Sequence, residues 1–337
     1  MRPAPPAPTR PIRAVLAAGL LAVAALLSAA PALAGPPKVV ASIKPVHSLV
    51  AAVMEGIGEP ALIVRGAASP HSYALKPSDA RALAEAELVF WVGPALEGFL
   101  AKPLAATATR ARVVSLLEAP GLRRLAAREG GVWEAHGHGH GDSHGHDHDH
   151  DHDRAGDGPP PAEVNTHVWL DPVNARAMVA AIADALADAD PANAAAYRAN
   201  AEHAGHRLDA LDAELKATLD PVAARPFVVF HDAYHYLEAR YGLNGVGAIT
   251  VSPDRRPSAR RLSAIRARIA ELGAVCVFAE PQFEPALVDT VLRGTGARKG
   301  VLDPEGAGLA DGPDLYPALM RAAVASLAGC LGPASAP

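Results

Sequence analysis

The sequence has little cysteine, no excess of basic charge and no long apolar run suited to a membrane span. Its 337 residues include 31 Lys and Arg against 36 Asp and Glu, which gives a formal net charge of -5. A chain without a basic footprint is not expected to bind nucleic acid. The apolar run from Ala14 to Leu27 is short for a membrane-spanning helix. Both observations favour a soluble protein whose partner is neither nucleic acid nor the bilayer core.

The start of the chain has the pattern of a secretory signal peptide. Arginines at positions 2, 10 and 13 precede the apolar run, and the small residues Ala32-Leu33-Ala34 follow it. We therefore expect a signal peptide over residues 1–34 and a soluble mature chain beginning near Gly35. No cysteine lies near that site, so we expect no lipid anchor. The predicted location is a bacterial periplasm, and we expect a monomer.

Only two cysteines occur, Cys276 and Cys330. Export to an oxidising compartment favours a disulfide bond between them. On the chain-entropy account such a bond would stabilise the fold by about 4 kcal/mol. The alternative is two separate buried thiols.

A loop in the middle of the chain, residues 131–161, is rich in histidine and aspartate. Eight imidazoles interleaved with carboxylates could not be desolvated together in a packed core. We therefore expect a solvated, disordered loop that binds divalent transition metal. An accidental low-complexity segment is the alternative, since an expression tag would lie at a terminus. The histidines are His136, His138, His140, His144, His146, His148, His150 and His152.

The rest of the chain alternates short β-rich runs with helical stretches. Half of the sequence is hydrophobic and only 20% is charged, which is enough for one large domain or two lobes. Alternation of strand and helix predicts an α/β fold with mainly parallel four-stranded sheets. The predicted strands are Val39–Ile43, Leu62–Val64, Leu88–Val92, Val113–Ser115, Phe227–Phe230, Val246–Ile249, Val275–Phe278 and Val301–Leu302, with a further extended run at Val164–Leu170.

A long helix is predicted over residues 191–219, where apolar residues recur at spacings of three and four. Its length of about 40 Å exceeds what one lobe needs, which indicates a helix that spans both lobes. We therefore expect an N-terminal lobe over residues 35–190, a linking helix over residues 191–219, and a C-terminal lobe over residues 220–332.

Three histidines outside the loop lie beside the ends of predicted elements: His71, His167 and His231. Ligands of open α/β sheets collect beyond the carboxyl ends of the strands, so two facing lobes could bring these side chains together. Three imidazoles suit zinc, which prefers four ligands. For the fourth ligand we rank Asp303 first, then water, then Glu280.

Several ordered motifs across nearly all of the mature chain resemble the high-affinity zinc-uptake solute-binding protein of bacterial ABC importers. The motifs are Ser42-Ile43-Lys44-Pro45, Ala68-Ser69-Pro70-His71-Ser72-Tyr73 with Pro77-Ser78-Asp79, His167-Val168-Trp169-Leu170-Asp171-Pro172, Phe230-His231-Asp232-Ala233-Tyr234, Phe278-Ala279-Glu280-Pro281-Gln282-Phe283 and Leu302-Asp303-Pro304.

This resemblance implies two α/β lobes joined by a rigid long helix, with zinc held at their interface by His71, His167 and His231. It also implies a disulfide matching the two cysteines and delivery of zinc to a membrane permease. Similar proteins that carry manganese tend to have a carboxylate where His231 stands and another matching Asp303. A third imidazole moves the preference toward zinc.

Three other functions are compatible with the same residues. A periplasmic zinc chaperone or buffer without a transporter would have the same ligands, and only an uptake assay separates it. A zinc hydrolase also uses three histidines and water, but no general base is assigned. A surface adhesin is disfavoured by the missing anchor cysteine.

For a transport protein we expect the loop to bind zinc weakly and exchange it quickly, and the cleft to bind zinc tightly. We expect release through a small lobe shift or a loop rearrangement.

Overall fold

Two parallel sheets of four strands each, with the same strand order, form the framework of the protein. The computed structural model describes residues 35–108, 110–128, 163–250 and 257–333. The predicted signal peptide and the histidine-rich loop therefore lie outside the described residues. The α/β prediction with parallel four-stranded sheets is confirmed.

The first sheet has the order β2-β1-β3-β4 and the second β6-β5-β7-β8, with every pairing parallel. β1, β3, β5 and β7 are buried along their whole length, which fits their continuous apolar sequences. The strands are β1 Val39–Ala41, β2 Ala61–Leu62, β3 Leu88–Trp91, β4 Arg112–Ser115, β5 Phe227–Val229, β6 Gly245–Ala248, β7 Cys276–Ala279 and β8 Arg298–Val301.

In each sheet the second strand in sequence lies on one side of the first strand, and the third and fourth strands lie on its other side. The strand order therefore reverses at one point in each sheet. In the first sheet this point lies between β1 and β3, and in the second it lies between β5 and β7. Loops leave such a point in opposite directions and open a crevice beyond the carboxyl ends of the two strands. The residues that follow β5 and β7 are therefore placed to form a site.

Nine α-helices lie in the described residues. The sequence sets several of their ends: the Asp171 carboxylate accepts the Val173 N–H at the start of α4, and Gly273 ends α7 in the left-handed conformation at φ 60°. The helices are α1 Lys44–Val53, α2 Pro77–Glu85, α3 Gly98–Thr107, α4 Pro172–Ala189, α5 Ala194–Leu219, α6 His235–Tyr241, α7 Ala259–Leu272, α8 Ala286–Leu292 and α9 Leu315–Leu331.

Helix α5 is the long helix that the sequence predicts, preceded by a 3₁₀ turn at Pro191–Asn193. Its 26 residues span about 39 Å at 1.5 Å per residue. It packs on α1 and α4 of the first half and on α9 of the second. Exposed ion pairs, Arg207 with Asp314 and Arg321 with Glu214, add to its contact with the α9 region.

The larger of the two hydrophobic clusters among the described residues runs through both halves of the chain, and the smaller one lies within the second half. The same cluster of buried side chains includes residues of β1 and β3 and residues of β5, β7 and α9. Two hydrogen bonds join the halves through Trp169: its indole N–H donates to the Pro304 carbonyl at 2.9 Å, and the Tyr316 hydroxyl donates to its backbone carbonyl at 2.7 Å. The described residues from Pro37 onward belong to one compact unit.

The prediction of an extended run at Val164–Leu170 is wrong over its second half. Val164 makes an isolated antiparallel bridge with Ala126, but Val168–Leu170 forms a 3₁₀ helix. The Asn165 side chain accepts the His167 N–H at 3.1 Å, which turns the chain two residues after the bridge. This local hydrogen bond outweighs the β propensity of the valines.

The predicted disulfide is confirmed between Cys276 in β7 and Cys330 near the end of α9, with the two Cα atoms 6.2 Å apart. It ties the second sheet to the C-terminal helix. Among the described residues, no helix combines the length and the apolar character needed to cross a membrane.

Candidate metal centre

Three imidazoles from distant parts of the chain converge on one point. The Nε2 atom of His167 lies 3.4 Å from that of His71 and 3.2 Å from that of His231. The ligand atoms of all three lie within 4.8 Å of one another. Two nitrogens on a tetrahedral zinc with bonds of 2.0 to 2.1 Å are about 3.3 Å apart. The separations in this cluster therefore fit a shared zinc ion.

His71 approaches the cluster from the loop between β2 and α2. Its backbone N–H donates to the Ser69 hydroxyl at 3.3 Å, in a turn that also joins the Ser72 N–H to the Ser69 carbonyl. Its side chain is half-buried, whereas the other two histidines are buried. His71 is thus the most accessible of the three.

His167 is held by Asn165, which lies two residues earlier. The Nδ1–H of His167 can donate to the Asn165 Oδ1 at 3.0 Å, which leaves the Nε2 lone pair toward the cluster. The same asparagine donates from its side-chain nitrogen to the Asp232 carbonyl at 2.8 Å. Asn165 therefore fixes His167 against the residue that follows His231.

His231 lies two residues after the end of β5 and is fixed by Glu280, which directly follows β7. Its Nδ1 lies 2.8 Å and 2.7 Å from the two carboxylate oxygens of Glu280. The side chains of both residues are almost fully buried. A carboxylate at Nδ1 orients the ring and raises the basicity of Nε2, the pattern of a zinc-binding histidine and its outer partner.

The candidates for a fourth ligand take different places. Glu280 contacts the back of His231 rather than the point where the Nε2 atoms meet. Asp303 accepts four hydrogen bonds, from the Gln282 side chain and from three backbone N–H groups of the turn at residues 305–307. Asp303 does not belong to the cluster of ligand atoms within 4.8 Å found among the described residues. Its role as fourth ligand stays a prediction.

The pocket that contains the three histidines has one further carboxylate, Glu305. It is lined by Ser69, Pro70, His71, His167, His231, Glu280, Gln282, Phe283, Pro304 and Glu305. Burial raises the pKa of Glu305 well above its usual range, and repulsion from Asp303 and Glu97 acts in the same direction. A cation at this point would relieve that repulsion.

The equivalent point in the first sheet is occupied by a different buried acid, Glu97. Its carboxylate accepts the Ser42 hydroxyl after β1 and the N–H groups of Val92 and Gly93 after β3. Burial raises the pKa of Glu97 to about 7 against these hydrogen bonds. The first sheet thus closes its crevice with Glu97, whereas the second presents His231 and Glu280 there.

Sequence reasoning found the three histidines and missed Asn165 and Glu305. Asn165 stands two residues before His167, a spacing at which a side-chain oxygen can reach the later N–H. Glu305 stands in a turn after Asp303-Pro304 and has no periodic signal. The eight histidines of the loop lie outside the described residues, and their metal binding stays a prediction.

Comparison with known proteins gives a consistent picture. A family model described as "Zinc-uptake complex component A periplasmic" matches residues 39–330. The chain is 53% identical over 304 residues to the "High-affinity zinc uptake system protein ZnuA" of Brucella abortus (strain 2308), covering 87% of this chain and 91% of that protein. It is 43% identical over 327 residues to the protein of the same name from Paracoccus denitrificans (strain Pd 1222), covering 96% and 99%.

Solved structures support the fold. The crystal structure of a "138-173 ZnuA deletion mutant plus zinc bound" matches with a TM-score of 0.70 at 24% identity, covering 90% of this chain and all of that one. The "periplasmic zinc binding protein TroA from Treponema pallidum" matches with a TM-score of 0.70 at 21% identity, covering 88% of this chain and 99% of that one. At these identities the likeness concerns the fold alone.

Proposed function

Because the chain belongs to the family of periplasmic zinc-uptake component A, we propose that it captures Zn²⁺ outside the cytoplasm and delivers it to the permease of an ABC importer. Zinc is its cargo. The observation that carries the proposal is the convergence of three imidazole Nε2 atoms at separations of 3.2 Å and 3.4 Å.

We propose His71, His167 and His231 as the zinc ligands. Asn165 and Glu280 support this assignment, because each accepts a hydrogen bond at Nδ1 and turns Nε2 toward the common point. Outer partners of this kind hold the ring in one orientation before the metal arrives. The site is therefore preorganised. Zinc binding requires little further ordering of the histidine side chains. For the fourth ligand we keep the order Asp303, then water, then Glu280.

The remaining expectations belong to the same proposal. Residues 1–34 direct export to the periplasm and are removed, without a lipid anchor. The loop at 131–161 gathers zinc weakly, and the centre retains it. Residues 35–190 and 220–332 act as two lobes joined by the helix at 191–219. The mature protein is a monomer. The core that both halves share favours release by a small shift or a loop rearrangement rather than by wide opening.

We propose binding without catalysis. Relatives of the chain are named as zinc-uptake proteins. Hydrolysis would need a carboxylate as general base, and both Glu280 and Asp303 are engaged, Glu280 with His231 and Asp303 with its own turn. A zinc chaperone or buffer without a transporter differs only in the partner, so restoration of zinc uptake in cells that retain the permease separates it.

The test is a zinc titration by calorimetry on three forms of the mature chain. They are the intact protein, a protein lacking residues 134–158, and the triple variant His71→Ala/His167→Ala/His231→Ala. Deletion of the loop should remove weak sites and leave one tight site. The triple variant should lose the tight site and keep the weak ones.

His203→Ala/His206→Ala is the matched control, because both histidines are exposed on α5 and lie outside the pocket. It removes two imidazoles and should leave the tight site unchanged. A triple variant that retains one tight site, or a loop deletion that abolishes it, would contradict the proposal.

A further inference from the structure

A largely buried arginine, Arg128, joins the first half of the chain to the start of helix α6 in the second half. Its guanidinium makes two forked pairs, one with the carboxylate of Asp232 and one with that of Glu238. The side chains of Arg128, Asp232 and Glu238 are 17%, 12% and 6% exposed. A planar guanidinium that meets two carboxylates in this way holds both in one geometry.

Asp232 links this arginine to two of the candidate zinc ligands. It directly follows His231 in the chain, and its carbonyl accepts the side-chain N–H of Asn165 at 2.8 Å. The oxygen of the same Asn165 side chain accepts from the backbone and from the ring Nδ1 of His167. A displacement of Asp232 would therefore reach His231 through the backbone and His167 through Asn165.

The backbone from which the arginine projects is itself fixed. The segment 125–128, which ends in the arginine, is bonded in antiparallel register to the segment 163–165. The Tyr236 hydroxyl of α6 joins the two segments, because it accepts the Leu125 N–H and donates to the Asn165 carbonyl, both at 2.9 Å. The arginine is thus held at its backbone as well as at its guanidinium.

Charge and geometry predict opposite effects for the loss of Arg128. A positive charge near the centre repels Zn²⁺, so on charge alone its removal would tighten zinc binding. Without the guanidinium, however, the buried carboxylates of Asp232 and Glu238 would repel each other or take up a proton. The forked geometry is lost in both cases, which would loosen the rings and weaken zinc binding. The sign of the change in zinc affinity therefore separates the two effects.

We propose that Arg128 is a positioning residue of the metal centre, which keeps His231 and His167 in their zinc-binding arrangement by fixing Asp232. This inference rests on the proposed function. Arg128 is not itself a ligand, because a protonated guanidinium has no lone pair to offer a metal. Its effect is retention of the bound ion, since rings that are held in place release zinc more slowly.

The test compares the wild type with Arg128→Gln and Arg128→Lys, each as the full mature chain loaded with one equivalent of Zn²⁺. Arg128→Gln removes both the charge and the fork, whereas Arg128→Lys keeps the charge but cannot form two forked pairs. Arg124→Gln is the matched control, because Arg124 lies four residues earlier and its pair with Glu118 is exposed. Chelator competition measures affinity, and rapid mixing with excess chelator measures the dissociation rate. Far-ultraviolet circular dichroism checks that each protein is folded at the working temperature.

Arg128→Gln should bind zinc roughly tenfold more weakly and release it correspondingly faster, the lower end of what loss of an outer partner costs. Arg128→Lys should lie between this variant and the wild type, and the control should match the wild type. Unchanged affinity in folded Arg128→Gln would give Arg128 a structural role only, and tighter binding would give it an electrostatic one.

Either of those results overturns the inference. Should Arg128→Gln not fold, Arg128→Lys decides, and wild-type affinity in that variant overturns the inference as well. Failure of the proposed function is separate, since it would appear as a tight site that survives loss of the three histidines.

Discussion

Two of the three candidate ligands are oriented by acceptors of different strength. His231 Nδ1 faces the carboxylate of Glu280, whereas His167 Nδ1 faces the amide oxygen of Asn165. A carboxylate raises the basicity of the opposite ring nitrogen more than an amide does, because it stabilises positive charge on the ring. His231 should therefore be the stronger donor to zinc of the two.

This difference predicts graded effects at Glu280. Glu280→Gln keeps an oxygen for the Nδ1–H and should weaken zinc binding by roughly tenfold, whereas Glu280→Ala removes it and should cost up to about a hundredfold. Competition against a chelator of known affinity measures both. Glu284→Gln is the control for loss of a nearby charge. Equal affinities for wild type and Glu280→Ala would mean that the ring needs no outer partner.

Glu97 predicts a pH dependence of stability. Its pKa is about 7 in the folded protein and near its ordinary value of 4.5 in the unfolded chain. Between these values the folded state keeps a proton that the unfolded state loses. Stability from this group is thus fully present below about pH 4.5 and declines as the pH rises toward 7, by at most about 1.4 kcal/mol per pH unit.

The measurement is urea unfolding of metal-free wild type and Glu97→Gln at pH 5, 6, 7 and 8. The difference between the two proteins isolates Glu97, since all other titrating groups are common to both. Relative to the variant, the wild type should lose stability from pH 5 to pH 7 and then level off. Glu118→Gln, an exposed change, should track the wild type throughout. A difference that stays constant with pH would show that Glu97 is already ionised at pH 5.

At the scale of elements, strands and long helices follow from composition and periodicity, and turns do not. Short β-branched runs predicted all eight strands to within a few residues, and the three-and-four spacing predicted α5. Val164–Leu170 has the same β-like composition, but a side-chain hydrogen bond from Asn165 turns it into a 3₁₀ helix. Such a bond depends on one residue and gives no periodic signal.

Site residues beside the ends of strands and helices could be predicted from the sequence, whereas those set by turns or tertiary contacts could not. His71, His167 and His231 stand beside element ends, and the geometry of parallel sheets brings such positions together. Glu305 of the pocket gave no such signal, and neither did Arg128, which lies outside the pocket. Arg128, near the start of the histidine-rich loop, pairs with Asp232 and Glu238 of the other half, a contact set by the tertiary fold alone.

The disulfide between β7 and α9 gives a prediction at this scale. It closes a loop with a sequence separation of 54 residues, for which chain entropy gives about 4 kcal/mol of stabilisation as an upper value. Cys276→Ala/Cys330→Ala should lower the free energy of unfolding by about 3 kcal/mol. Urea unfolding measures this, and wild type with reductant should reproduce the variant. An unchanged urea midpoint, in both the variant and the reduced wild type, would mean that the disulfide does not stabilise the folded state.

At the scale of the whole molecule, the two halves are joined more closely than the division into lobes implies. Their sheets repeat the same order, yet one core runs through both, and α5 packs on elements of each. Trp169 of the first half is bonded on both sides to the second, at Pro304 and Tyr316. The candidate zinc ligands also come from both halves, with His71 and His167 in the first and His231 in the second.

A shared core and a shared site predict that the halves unfold together. The metal-free mature chain should give one calorimetric transition, and zinc should move the whole of it upward, because a ligand that binds only the folded state adds about 2.7 kcal/mol at a free concentration of one hundred times Kd. His71→Ala/His167→Ala/His231→Ala should unfold in one transition that zinc barely moves. Tryptophan fluorescence and far-ultraviolet circular dichroism should follow the same curve in each case. If two transitions appear and zinc shifts only one of them, the lobes are independent folding units. The interface that holds the site would then open before either lobe unfolds.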